Sequence, residues 1–210
     1  MSLGFADIFI AKFNTSGNLI WAKSIGSASG DAGNSVTTDA SSNVYSTGFF
    51  NGTADFDPGP GTLNLTGGAY ISKLDMNGDF AAAWAFTGSG ALEGNSIAID
   101  PSGNIYSTGE FSNTADFDPG PGVFNQTDIA SGSIYISKLD AAGNFQWAFG
   151  LGGSGGGENG GRSLAVDNLG NSYISGFFTG NANFDPSLEY LTLAPMEAMP
   201  MTFLFLNMIP

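Results

Sequence analysis

An all-β fold, laid down as about three copies of one four-stranded antiparallel sheet, is what this sequence predicts. Three observations carry the prediction. The stretch Ala54-Asp55-Phe56-Asp57-Pro58-Gly59-Pro60-Gly61 returns almost unchanged at residues 115–122, and in eroded form as Asn183-Phe184-Asp185-Pro186. Its surroundings return in step: Tyr45-Ser46-Thr47-Gly48 recurs at 106–109, and Tyr70-Ile71-Ser72-Lys73-Leu74-Asp75 at 135–140. Finally, 18 Phe, six Tyr and three Trp stand beside 32 Gly, with no helical periodicity. Such a composition suits many short strands joined by tight turns, and a period of sixty-odd residues signals an array of one supersecondary unit.

Each unit holds four strand-like runs. The first is residues 35–39, matched by 96–100 and 163–167. Turns rich in Gly, Asn and Ser follow at 40–43, 101–104 and 168–171; these residues tolerate positive φ and close hairpins. The second strand is 44–50, 105–111 and 172–178, and the Asp-Pro corner lies in the long connection after it. The third is 69–74 and 134–139, with a looser copy at 7–13 near the start. A further hairpin turn (14–18, 75–79, 140–144) leads to a fourth strand around Trp21, Trp84 and Trp147, which recur at a constant interval of 63. Glycine-rich segments at 26–33 and 150–161 read as flexible linkers between units.

Four short antiparallel strands per unit describe a β-propeller blade. A β-solenoid is the competing architecture, but its repeats are shorter and lack paired hairpin turns. The units run over about 7–68, 69–133 and 134–194, so residues 1–194 form a three-blade segment. The chain enters at a third strand, as expected of a segment cut from something longer. Closed propellers have at least about four blades, and open faces and edges tend to associate. The expected partner is therefore the chain itself, two copies sharing split blades in one six-bladed ring. Residues 195–210 depart from the repeat. Codons for 195–210 can be chosen so that reading one base earlier restores a third strand of the repeat, so this tail is expected to be frame-shifted sequence that can still add a strand.

A formal charge of −14, with only five basic residues, argues against nucleic-acid binding, which needs clustered Lys and Arg. No apolar run is long enough for a helical membrane insertion. Cys and His are both absent, which removes a thiolate nucleophile, the usual general base and the commonest metal ligands.

The order Asp7-Ile8-Phe9-Ile10-Ala11-Lys12-Phe13-Asn14, Gly17-Asn18-Leu19 before Trp21, Gly33-Asn34-Ser35-Val36 and Ala54-Asp55-Phe56-Asp57-Pro58-Gly59 resembles the bacterial beta-propeller repeat often labelled seven-bladed, over residues 7–186. The resemblance implies an extracellular or cell-surface bacterial protein, with repeats in long arrays beside adhesion-type modules. Catalysis is not characteristic of such a repeat.

The sharpest candidates for chemistry are Asp55 and Asp57, their copies Asp116 and Asp118, and Asp185. Two carboxylates two residues apart, beside turn carbonyls, resemble half of an oxygen-ligand Ca²⁺ site. No bidentate acid follows at the required distance. A tight corner, with Pro setting φ and Asp capping, is the favoured reading. Asp75-Met76-Asn77-Gly78-Asp79 also mimics a calcium loop but reads as a hairpin turn. Glu93, Glu110 and Glu158 are acids outside the repeat, with nothing in the sequence to pair them. The regular tryptophans read as inter-blade packing rather than sugar platforms. The function expected is a non-catalytic binding or structural scaffold that contacts protein or carbohydrate through blade loops. The alternative is a fragment of a carbohydrate-active enzyme, glycosidase or lyase-like, whose site needs further blades.

Overall fold

The computed structural model describes residues 4–128, 132–153, 155, 157–185, 192–193 and 202–208. Pro186 and most of residues 195–210 lie outside that set. Among the described residues there are strands and turns and no helix.

The strands are β1 (Ile8–Phe13), β2 (Leu19–Ile25), β3 (Ala32–Thr38), β4 (Val44–Asp55), β5 (Asn64–Leu74), β6 (Phe80–Gly88), β7 (Leu92–Ile99), β8 (Ile105–Phe111) and β9 (Thr114–Asp116). They continue with β10 (Asn125–Thr127), β11 (Ser133–Leu139), β12 (Phe145–Gly153), β13 (Gly160–Val166), β14 (Ser172–Phe178), β15 (Ala182–Asn183), β16 (Thr192–Leu193) and β17 (Thr202–Met208). Two complete antiparallel blades, β3-β4-β5-β6 and β7-β8-β11-β12, stand between a half blade, β1-β2, and a three-stranded sheet, β13-β14-β17. The innermost strands β3, β7 and β13 pack side by side. The fold is an incomplete β-propeller.

Hairpin chemistry sets the register. Asp100 Oδ1 accepts the backbone N–H groups of Ser102 (2.8 Å) and Asn104 (2.9 Å), while its Oδ2 accepts from the Asn104 amide and the Tyr106 hydroxyl. Asp39 and Asp167 make the same set, and Gly103 and Gly170 take the positive φ the turn requires. Burial pushes the Asp100 carboxyl up, but the bonds from Asn104, Ser102 and Tyr106 outweigh it and hold its pKa below the ordinary value. A carboxyl depressed in the fold stabilises it above the unfolded pKa and loses that contribution as pH falls through the folded one. Thermal unfolding of Asp100→Ala should show a loss of about 2 kcal/mol at pH 7. The gap to the parent chain should close as pH drops below about 4; an equal gap at both pH values refutes this assignment.

The Asp-Pro corner has a second task that its repetition conceals. The hairpin it closes pairs with the fourth strand of the preceding unit: Asp116 lies opposite Thr87 and Ala115 opposite Gly88. Asp55 bridges to Gly26, and Ala182 and Asn183 pair with Gly153 and Gly152. Each corner phenylalanine thereby enters a blade interface: Phe56 and Phe117 are fully buried, and Phe184 nearly so. Phe117 meets Phe86, Phe111 and Tyr135 at centroid distances of 5.4, 5.4 and 4.9 Å.

Two sequence expectations change in detail. The segments read as linkers carry strand at their ends, since residues 150–153 complete β12, 160–161 open β13 and 32–33 open β3. The tryptophans are not equivalent despite their constant interval. Trp21 and Trp147 face Lys12 and Lys138, whereas Trp84 faces Ile71, two residues further along its strand. Repeats of unequal length offset the shift, since the equivalent residues Lys12, Lys73 and Lys138 stand 61 and 65 apart. Both Trp21 and Trp84 still pack between blades, where a Cβ on Gly78 or Gly143 of the next unit would meet their rings.

Candidate functional site

The predicted metal residues are placed at the corners, with much of their oxygen committed. Asp55 Oδ1 accepts from the N–H groups of Asp57 (3.0 Å) and Leu63 (2.8 Å), and Asp57 Oδ1 from Gly59 (2.7 Å). Asp116 and Asp118 repeat this with Asp118, Phe124 and Gly120. In the third unit Asn183 Oδ1 takes the N–H of Asp185. These contacts describe turn capping. Among the described residues no three acids converge as a metal site would need.

A different place gathers chemistry. At the end of the blades where fourth strands cross to first strands, and second strands leave for the corner, a cleft of about 580 Å³ opens. Its apolar wall includes Phe49, Phe50 and Phe111; its acids are Glu93, Glu110 and Glu158. Glu93 and Glu110 face each other across the β7–β8 ladder, so their side chains share one face. Glu158 arrives on the connection into β13. Burial raises the pKa of Glu110, and Glu93 and Glu158 raise it further against the opposing pull of Arg162. The Arg162 guanidinium stands 3.5 Å from Glu110 Oε2 and 5.0 Å from the Phe177 ring centroid. The structure thus brings together three acids that the sequence left unpaired.

Strand register shows what marks them. The positions of Glu93 and Glu110 in the middle blade are held by Ala32 and Phe49 in the unit before, and by Gly160 and Phe177 in the unit after. Arg162 stands where Asn34 and Asn95 stand elsewhere, two residues whose amides bond the carbonyls of Gly94 and Gly161 in the next blade. The signal available in the sequence was departure from the repeat. Like charges directly opposite each other cost a sheet stability, so this pair stands out against its neighbours. Chemically, the cleft offers carboxylate acceptors, one with raised proton affinity, against an aromatic wall.

A family model described as a beta-propeller repeat matches residues 86–118, from the fourth strand of one blade through the corner of the next. No curated protein matches the chain. No helix among the described residues is long and apolar enough to cross a membrane.

Proposed function

We propose that this chain, a member of the beta-propeller repeat family, is a non-catalytic binding scaffold of a bacterial secreted or surface protein. Its ligand, a carbohydrate or a protein loop, enters the cleft bounded by Glu93, Glu110 and Glu158. One observation carries the reading: where the rest of the chain repeats, this cleft breaks the repeat with acids set against Phe49, Phe50 and Phe111. Carboxylates beside aromatic faces suit sugar hydroxyls and apolar ring faces. A glycan array should yield a bound class, and calorimetry of that ligand should show at least about tenfold weaker binding to the double variant Glu93→Gln/Glu110→Gln, the loss of one or two charge-assisted hydrogen bonds. Undiminished binding by that variant removes the cleft from the proposal.

The second reading is a carbohydrate-active enzyme, favoured by the raised pKa of Glu110 beside a second carboxylate, an arrangement that acid–base chemistry at a glycosidic bond employs. Release of reducing sugar from a bound glycan selects it over the scaffold. Calcium at Asp55, Asp57, Asp116, Asp118 and Asp185 belongs to the same proposal as an optional rigidifying ion, and heat on Ca²⁺ titration of the apo chain checks it.

A further inference from the structure

The two ends of the array are complementary, and we infer that a second copy of this chain joins them, the β1-β2 half blade of one completing the β13-β14 sheet of the other. In both complete blades the second and third strands, β4-β5 and β8-β11, pair side by side. Among the described residues no second strand pairs with β1, and at the other end the third-strand position beside β14 is taken by β17.

Register gives the equivalences, and they fit residue by residue. Phe9 corresponds to Tyr70 and Tyr135, and Phe13 to Leu74 and Leu139. All four internal residues are fully buried, whereas Phe9 is 77 % and Phe13 60 % exposed. Tyr70 closes an aromatic trio with Phe50 and Phe56, and Tyr135 packs on Phe117, which in turn meets Phe111. The third blade has the corresponding pair Phe178–Phe184, centroids 5.4 Å apart, beside an apolar cleft walled also by Ile134, Leu151 and Ile174. A partner's Phe9 supplies the third ring.

Three further matches point to the same occupant. Lys73 and Lys138 each sit 5.0 Å from the ring centroid of the tyrosine opposite, Tyr45 and Tyr106. The equivalent residues, Lys12 and Tyr173, lie at opposite ends of this chain. The buried hydroxyl pairs Ser46–Ser72 and Ser107–Ser137, each 2.8 Å apart, correspond to Ile174 and Ala11. Both hydroxyls are lost together there, as apolar packing between β14 and β1 requires. Gly78 and Gly143 lie against Trp21 and Trp84, while the matching Gly17 has nothing within 4 Å. In the pair it comes to rest on the partner's Trp147. The exchange replaces β17, a single strand, with two strands and their turn. Each chain then contributes three blades, and two chains close six.

Light scattering on the 210-residue chain should give twice its 21.5 kDa; the mass of one chain, or an open distribution of higher masses, overturns the inference. Phe9→Asp places a charge on a residue exposed in the single chain. It should yield a 21.5 kDa particle with unchanged β-sheet circular dichroism, and a persistent dimer counts against the interface. Because the chain lacks cysteine, Ala11→Cys with Ile174→Cys should oxidise to a covalent dimer, and a link within one chain, or none, refutes the stated register. These readouts do not depend on what the acidic cleft binds.

Discussion

Phe117→Ala should lower the stability of the chain by about 3–5 kcal/mol, the range for truncating a fully enclosed phenylalanine. The residue has no exposed surface, and rings of Phe86, Phe111 and Tyr135 surround it. Phe86 belongs to one blade, Phe111 and Tyr135 to the next, so the cavity would open at the seam between them, where no single sheet can collapse to fill it. Equilibrium unfolding in urea reads the loss directly. Val123→Ala, on the same hairpin but 71 % exposed, should stay within about 0.5 kcal/mol of the parent. If both substitutions cost the same, the seam is not where the hairpin's contribution lies.

Gly109→Ala should cost about 3 kcal/mol, although it adds one methyl group. The φ angle at this position is not in the left-handed region; the difficulty is close approach. The ladder between β7 and β8 slips between Gly94 and Ser96. A Cβ on Gly109 would fall on the Glu93 carbonyl oxygen, with the Tyr135 ring 2.9 Å away. Gly48 meets the Ala32 carbonyl and Gly176 the Gly160 carbonyl in the same manner. The glycine ending Tyr45-Ser46-Thr47-Gly48 and its copies is therefore a backbone-contact residue, present wherever the bulge is. Gly30→Ala, where a Cβ meets nothing within 4 Å, serves as the neutral comparison in the same urea titration. Equal midpoints for the two variants would disprove the close-approach account.

The fold was legible because periodicity is a statement about sameness. Alternation along residues 134–139, the Asp-x-x-Gly-Asn turns and the spacing of the tyrosines each restate one blade, and blades of one kind pack in one way. The site was illegible for the same reason. Glu93 and Glu110 carry meaning only against Ala32, Phe49, Gly160 and Phe177, and that comparison needs strand register, which raw spacing does not supply. Trp84 shows the hazard, since an unvarying interval of 63 hides a shift of two residues along its strand. Nor does the corner motif disclose that its hairpin reaches backward. Asp55 and Asp116 advertise oxygen ligands in sequence, and in the structure they hold backbone N–H groups so that Phe56 and Phe117 can be delivered to the seam.

That backward reach bears on how the array can be divided. The glycine-rich crossings look like the places to cut, yet a piece ending at Gly88 would lack the strand pairing and the ring that Ala115, Asp116 and Phe117 supply from beyond the cut. The transferable module runs instead from one fourth strand through the following corner to the end of the next third strand. Arrays of this kind should therefore grow, shrink and be grafted in a phase that straddles two visible sheets.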